Sequence, residues 1–207
     1  MSLATVDQSE HVTAGESSVR HGSKGLGNPV LGMLLFIVSE IMFFGGLFAA
    51  YFSLRTKTGV WPPAGNGAFL LHEEVLFPAV MTALLILSSV TCQIAVWRIR
   101  RGDRQGMNRA LLLTVLLGVI FLLGQLYDYT QLGFGIADGV FGGTFYILTG
   151  FHGAHVLGGV LMLGVCLFRG GLGQFSAQHH DMVEATSIYW HFVDIVWVLL
   201  FSLIYIV

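Results

Sequence analysis

Five apolar runs govern what this chain can fold into: residues 29–54, 75–97, 110–131, 142–168 and 186–207. Each exceeds the ~20 residues that a helix needs to cross the hydrocarbon core of a bilayer. In lipid, backbone polar groups must be satisfied inside the segment or around a closed barrel. The runs lack strand-like alternation, which argues against a barrel. The expected architecture is therefore all-α, a polytopic membrane bundle of five transmembrane helices over 29–207, preceded by a polar tail at 1–28. The tail has no apolar stretch of its own and reads as a mobile segment rather than a cleaved leader.

Composition supports this reading. Hydrophobic residues make up 55% of the chain and charged residues 11%, where a soluble domain carries about 25% charge to keep its surface wetted. Ten Lys and Arg against twelve Asp and Glu leave no basic field for nucleic acid. Cys92 and Cys166 both sit inside apolar runs, far apart in sequence and without a paired-thiolate or disulfide pattern.

Orientation follows from the basic residues beside the spans. Arg98, Arg100, Arg101, Arg104 and Arg109 lie in the second connection, Arg169 lies in the fourth, and the tail adds Arg20 and Lys24. The opposite side has Arg55 and Lys57. The amino terminus is thus expected in the cytoplasm and the carboxyl terminus outside, consistent with an odd number of spans. A bacterial plasma membrane is the expected location.

Glycine is in excess at 27 of 207 residues, against an ordinary share of ~7%. The fourth run concentrates it, and Gly150, Ala154 and Gly158 recur every four residues. Small residues let membrane helices approach closely, so this stripe is expected to be a helix-packing face.

Ionisable side chains inside hydrocarbon are costly, and each needs an account. They are Glu40 in the first span, Asp128 late in the third, His152 and His155 in the fourth, and His191 and Asp194 in the fifth. Counted from the cytoplasmic ends of the runs at ~1.5 Å per residue, Glu40 lies ~16 Å up, His155 ~20 Å and His152 ~24 Å. His191 and Asp194 come out lower, near ~8 and ~12 Å. A Glu40–His155 hydrogen bond is therefore available if spans one and four are neighbours. His152 and His155 share a helix face, as do His191 and Asp194. Two chemistries fit such residues: imidazoles ligating a haem or metal, or satisfied polar groups that fix packing and serve proton or lipid handling. Three histidines at two depths make a poor metal site, so no metal is expected. Glu40 reads equally well as a functional acid and as a hydrogen-bonded structural group. Asp128, between Tyr127 and Tyr129, has the setting of an interfacial anchor.

Four blocks carry a resemblance. SEIMFFGGLFAAYF (39–52), LGQLYDY (123–129), TGFHGAHVLGG (149–159) and YWHFVDIVWVLLF (189–201) fall in order on four of the five spans. Together they resemble subunit III of the haem–copper respiratory oxidases. The resemblance implies an accessory, non-catalytic subunit of a complex that reduces oxygen to water and pumps protons. It implies subunits I and II as partners, with the haems and copper held there and no redox centre in this chain. It also implies bound phospholipid, support of proton uptake, protection of the catalytic subunit during turnover, and contact with other respiratory-chain complexes. Glu40 stands at the family's buried acid, His152 and His155 at its two-histidine motif, and His191 and Asp194 at its last motif. Asp128 replaces the usual Glu of the third-span block. Five spans match the family's short bacterial form, which lacks the first two helices of the long form and hence one wall of its lipid cleft.

Glu40 followed by Met and two Phe is closer to the cytochrome c oxidases than to the bo-type quinol oxidases, where Asp is familiar. The related nitric oxide reductase subunit has similar motifs. Readings of another class are an autonomous haem-binding electron carrier using His152 or His155 with His191, and a small transporter coupled through Glu40. All of these stay open on sequence alone.

Overall fold

A computed structural model describes residues 27–58, 61 and 75–206. The tail, with Arg20 and Lys24, and most of the first connection lie outside the described residues. Five long helices follow one another: α1 (Asn28–Thr58), α2 (Leu76–Arg100), α3 (Arg104–Gln131), α4 (Gly139–Gly171) and α5 (Asp181–Phe201), which runs on as a π-helical turn, Ser202–Ile206. All five are long and apolar enough to cross a membrane.

The helices outrun the apolar stretches that announced them. α3 begins at Arg104 rather than at 110, and α5 at Asp181 rather than at 186. Hydropathy marks the part of a helix that suits lipid, whereas the helix itself starts where a polar cap lets it. Asp103 supplies that cap for α3: its carboxylate accepts the Gly106 N–H at 2.8 Å and lies 3.0 Å from Arg98 Nη1. The Gly106 N–H, with help from Arg98, holds the Asp103 carboxyl below the usual aspartate range. The basic segment 98–109 is accordingly not one connection. Arg98 and Arg100 close α2, Arg104 and Arg109 open α3, and the chain reverses over residues 101–103 with Gly102 at φ +79°, a backbone shape that favours glycine.

α2, α3 and α4 pack side by side in chain order, and α5 packs on α4, α2 and α1. α5 is the hub: 56% of its most apolar stretch is buried, against 17% for α1. Two tryptophans fasten it. Trp190 and Trp197 are almost wholly enclosed, and their indole N–H groups donate to Ser88 Oγ and Thr82 Oγ1 of α2, each at 2.9 Å. Those hydroxyls donate onward to the carbonyls of Leu85 and Pro78, so no buried polar atom in either chain of bonds is left over. Interhelical bonds of this kind contribute about 0.6–2 kcal/mol each in membranes.

Glycine has a specific task around Trp190. A Cβ on Gly118 of α3 would lie 2.8 Å from the Trp190 ring, and one on Gly159 of α4 would lie 2.6 Å from it. The indole thus sits between two glycine backbones. The stripe expected to pack is a different one. Gly150 and Ala154 are exposed; among the described residues nothing lies within 4 Å of a Cβ on Gly150, and Gly158 meets only the Tyr189 hydroxyl at 3.6 Å. The Gly150, Ala154 and Gly158 stripe, expected to be a helix-packing face, is thus left largely open by the described helices. α4 turns Gly159, one position round, toward α5, because that is where the bulky Trp190 arrives.

Candidate functional site

Glu40 on α1 and His155 on α4 meet across the bundle, with Glu40 Oε2 2.8 Å from His155 Nε2. Both side chains are largely covered, at 17% and 15% exposure. Phe43 and Phe44 of α1 pack against the imidazole, and the Tyr189 hydroxyl of α5 donates to the His155 carbonyl at 3.1 Å. The other ring nitrogen, Nδ1, lies 2.7 Å from the Phe151 carbonyl. A carbonyl can only accept, so Nδ1 carries a hydrogen. One further proton is then shared between Nε2 and the carboxyl, as a neutral acid donating to imidazole or as imidazolium donating to carboxylate. The pair holds one shared proton in an apolar setting, and moving that proton converts a neutral pair into an ion pair.

His191 and Asp194 form a second cluster with a residue that drew no attention in the sequence. Ser89 of α2 lies 2.7 Å from His191 Nδ1 and donates its hydroxyl proton to Asp194 Oδ2. With that proton committed, Ser89 accepts from His191 Nδ1–H. On the far side of the ring, the Ser187 hydroxyl and the Gln93 side-chain amide approach Nε2 at 3.3 and 3.2 Å. Asp194 is 6% exposed, and its Oδ1 has no partner among the described residues. The depth ordering drawn from the apolar runs is corrected here. Tyr189 of α5 reaches the His155 carbonyl and Phe192 packs on Phe44, which brings His191 and Asp194 close to the level of the Glu40–His155 pair.

His152 belongs to neither cluster. It is fully buried, neither ring nitrogen has a partner among the described residues, and the ring stacks on Trp197 at 4.8 Å and meets Phe121 edge-on at 5.9 Å. Asp128 sits elsewhere, accepting from the Tyr205 hydroxyl at 3.4 Å, while Tyr129 donates to Thr149 Oγ1 at 2.7 Å. The intramembrane polar residues thus fall into separate groups rather than one network. Among the described residues, no group of three or more His, Cys, Asp or Glu is placed to hold a metal ion. Ser89 and Gln93 escaped the sequence reading because neither is ionisable. Their signal was nonetheless there, since Thr82, Ser88, Ser89, Thr91 and Gln93 make one of the more polar stretches in any span.

Residues 8–207, covering every one of these groups, match the family described as cytochrome c oxidase subunit III. The chain belongs to that family. It is 43% identical over 178 residues to cytochrome c oxidase subunit 3 of Thermostichus vulcanus, covering 86% of both chains. It is 43% identical over 180 residues to the probable cytochrome c oxidase subunit 3 of Mycobacterium tuberculosis, covering 84% of this chain and 86% of that one. Against cytochrome c oxidase subunit 3 of Rattus norvegicus the identity is 43% over 179 residues, covering 84% of this chain and 67% of the rat protein. As a family member, this chain is a multi-pass membrane protein and a non-catalytic subunit of a respiratory terminal oxidase.

Proposed function

We propose that this chain works beside the haem- and copper-bearing subunits I and II of a bacterial cytochrome c oxidase. There it helps sustain proton uptake and protects the catalytic subunit while oxygen is reduced to water. Its amino terminus faces the cytoplasm, as the arginines at the ends of α2, α3 and α4 favour. Cytochrome c is the donor to the complex, a reading supported by the names of the relatives. The haems and copper belong to the partner subunits, and phospholipid is held where α1 presents its exposed apolar face. A neighbouring subunit supplies the other wall of any lipid site.

The observation that carries a role in proton handling is the Glu40–His155 contact at 2.8 Å. A carboxyl and an imidazole sharing one proton can pass it between them with no change in the pair's net charge and with the hydrogen bond kept in both states, which a solitary mid-membrane acid cannot do. Replacing Glu40 by Gln preserves size and hydrogen bonding and removes the acid. We expect the Glu40→Gln oxidase to assemble normally, to take up protons more slowly, and to lose activity faster during sustained turnover. If initial turnover, its decay and proton uptake all equal those of the unaltered complex, the pair is structural only.

A further inference from the structure

A groove of about 340 Å³ opens between the last turns of α2 and the first turns of α3, and two arginines line it, Arg98 and Arg109. Arg98 directly follows the second apolar run and Arg109 directly precedes the third, so both side chains are rooted where the hydrocarbon part of the spans ends. Below that rim the walls are Ile94, Ala110 and Leu113, and Thr91 lies deepest, about 10 Å along α2 from Arg98. The Thr91 hydroxyl is bonded to Thr114 Oγ1 and to the Ser88 carbonyl, each at 2.8 Å, so the deep end is already satisfied within the protein. The rim carries one net positive charge. Asp103 also lines it, but one carboxylate oxygen accepts the Gly106 N–H at 2.8 Å and the other accepts from Arg98 at 3.0 Å. That bond takes one of the five N–H donors of the Arg98 guanidinium. Arg109 makes no ion pair among the described residues.

An amphiphile matches a groove of this polarity, with an anionic head at the rim and an acyl chain below it. Basic pockets between membrane helices hold anionic headgroups in this way. A zwitterionic lipid fits less well, because its cationic group has no carboxylate to meet once Asp103 is committed to Arg98 and Gly106. We propose that this groove is a headgroup-selective site for an anionic phospholipid, its phosphodiester held between Arg98 and Arg109 and an acyl chain lying along Ile94 and Leu113. The apolar track continues toward the middle of the membrane on Val90 and Leu87 of α2 and on Leu116 and Ile120 of α3, all about half exposed. The site is built on α2 and α3 rather than on the exposed face of α1. It needs only that the chain spans a membrane, and it does not depend on a part in proton uptake.

The test uses the purified oxidase, exchanged through detergent into phosphatidylcholine nanodiscs that carry a probe lipid with a photoreactive diazirine on one acyl chain. Two probes differ only in the headgroup, phosphatidylglycerol or phosphatidylcholine. After illumination, the labelled residues are identified by mass spectrometry. Expected is stronger labelling around Ile94 and Leu113 by the phosphatidylglycerol probe. Arg109→Gln should lower that preference about fivefold, the worth of one basic side chain beside an anionic headgroup, and Arg109→Lys should retain it. Arg101→Gln removes a charge from the same basic stretch but outside the groove, and should leave the preference in place. Equal labelling by the two probes, or equal losses in Arg109→Gln and Arg101→Gln, overturns the proposal, since the groove then holds bulk lipid or senses only net charge. Labelling by neither probe means that protein covers the groove, and overturns it too. So does loss of the preference when inorganic phosphate replaces chloride at matched ionic strength, because the site then takes free phosphate. None of these failures touches the oxidase reading.

Discussion

Substituting Ala for Gly159 adds one methyl group where the bundle has no room for it. The new Cβ would stand 2.6 and 2.8 Å from two carbons of the Trp190 ring and 3.3 Å from the Tyr189 ring. Carbon atoms settle at about 3.5–4.0 Å, so the indole must retreat by about 1 Å. It cannot do so freely. The α3 backbone at Gly118 closes its other side, and its N–H is fixed to Ser88 at 2.9 Å. Overpacking of this kind costs about 1–3 kcal/mol, equivalent to a roughly 5–150-fold fall in the ratio of folded to unfolded subunit. Gly150→Ala is the matched control, because no described residue lies within 4 Å of its added Cβ. Ala favours a helix over Gly, so it should leave stability unchanged or raise it by up to about 1 kcal/mol. Both variants are to be unfolded as detergent-solubilised subunit, by heating or by titration with a denaturing detergent, with Trp fluorescence as the readout. If Gly159→Ala unfolds with the unaltered chain, or if Gly150→Ala costs as much, the account of Trp190 clamped between two glycine backbones is wrong.

Two further outcomes follow from individual polar groups. His152 is buried with both ring nitrogens unpaired, so His152→Phe should leave stability unchanged or raise it by up to about 1–3 kcal/mol. A clear loss in thermal unfolding would mean that the imidazole makes a bond the bundle needs. Asp103 has a carboxyl pKa below the ordinary aspartate value, chiefly through the Gly106 N–H. The folded state therefore binds its proton more weakly than the unfolded state. The contribution of the cap is present above about pH 4 and fades as the pH falls through the lower folded value. Asp103→Ala should accordingly be less stable than the unaltered chain at neutral pH and converge with it in strong acid. A gap in melting temperature that is the same at both pH values would contradict the assignment.

The sequence by itself determined the fold class, the number of spans and the family. These depend on local chemistry: stretches long and apolar enough for lipid, and short blocks of residues in a fixed order. It also singled out Glu40 and His155, since a charge in hydrocarbon is conspicuous wherever it falls. Helix ends were out of reach, because Asp103 caps α3 several residues before the apolar run begins, and capping depends on one side chain rather than on average hydropathy. The partners of the polar groups were out of reach as well. Glu40 and His155 lie in different spans, as do Ser89 and Asp194, and no periodicity tells which helices are neighbours. The same holds for the glycines. Gly150, Ala154 and Gly158 form the more regular stripe, yet Gly118 and Gly159 are the ones that meet the Trp190 ring, because the rotation of α4 is set by where Trp190 has to fit. Tertiary structure decided what the sequence could not: which faces turn inward, and which side chains of different spans meet, as Ser89 of α2 meets His191 and Asp194 of α5.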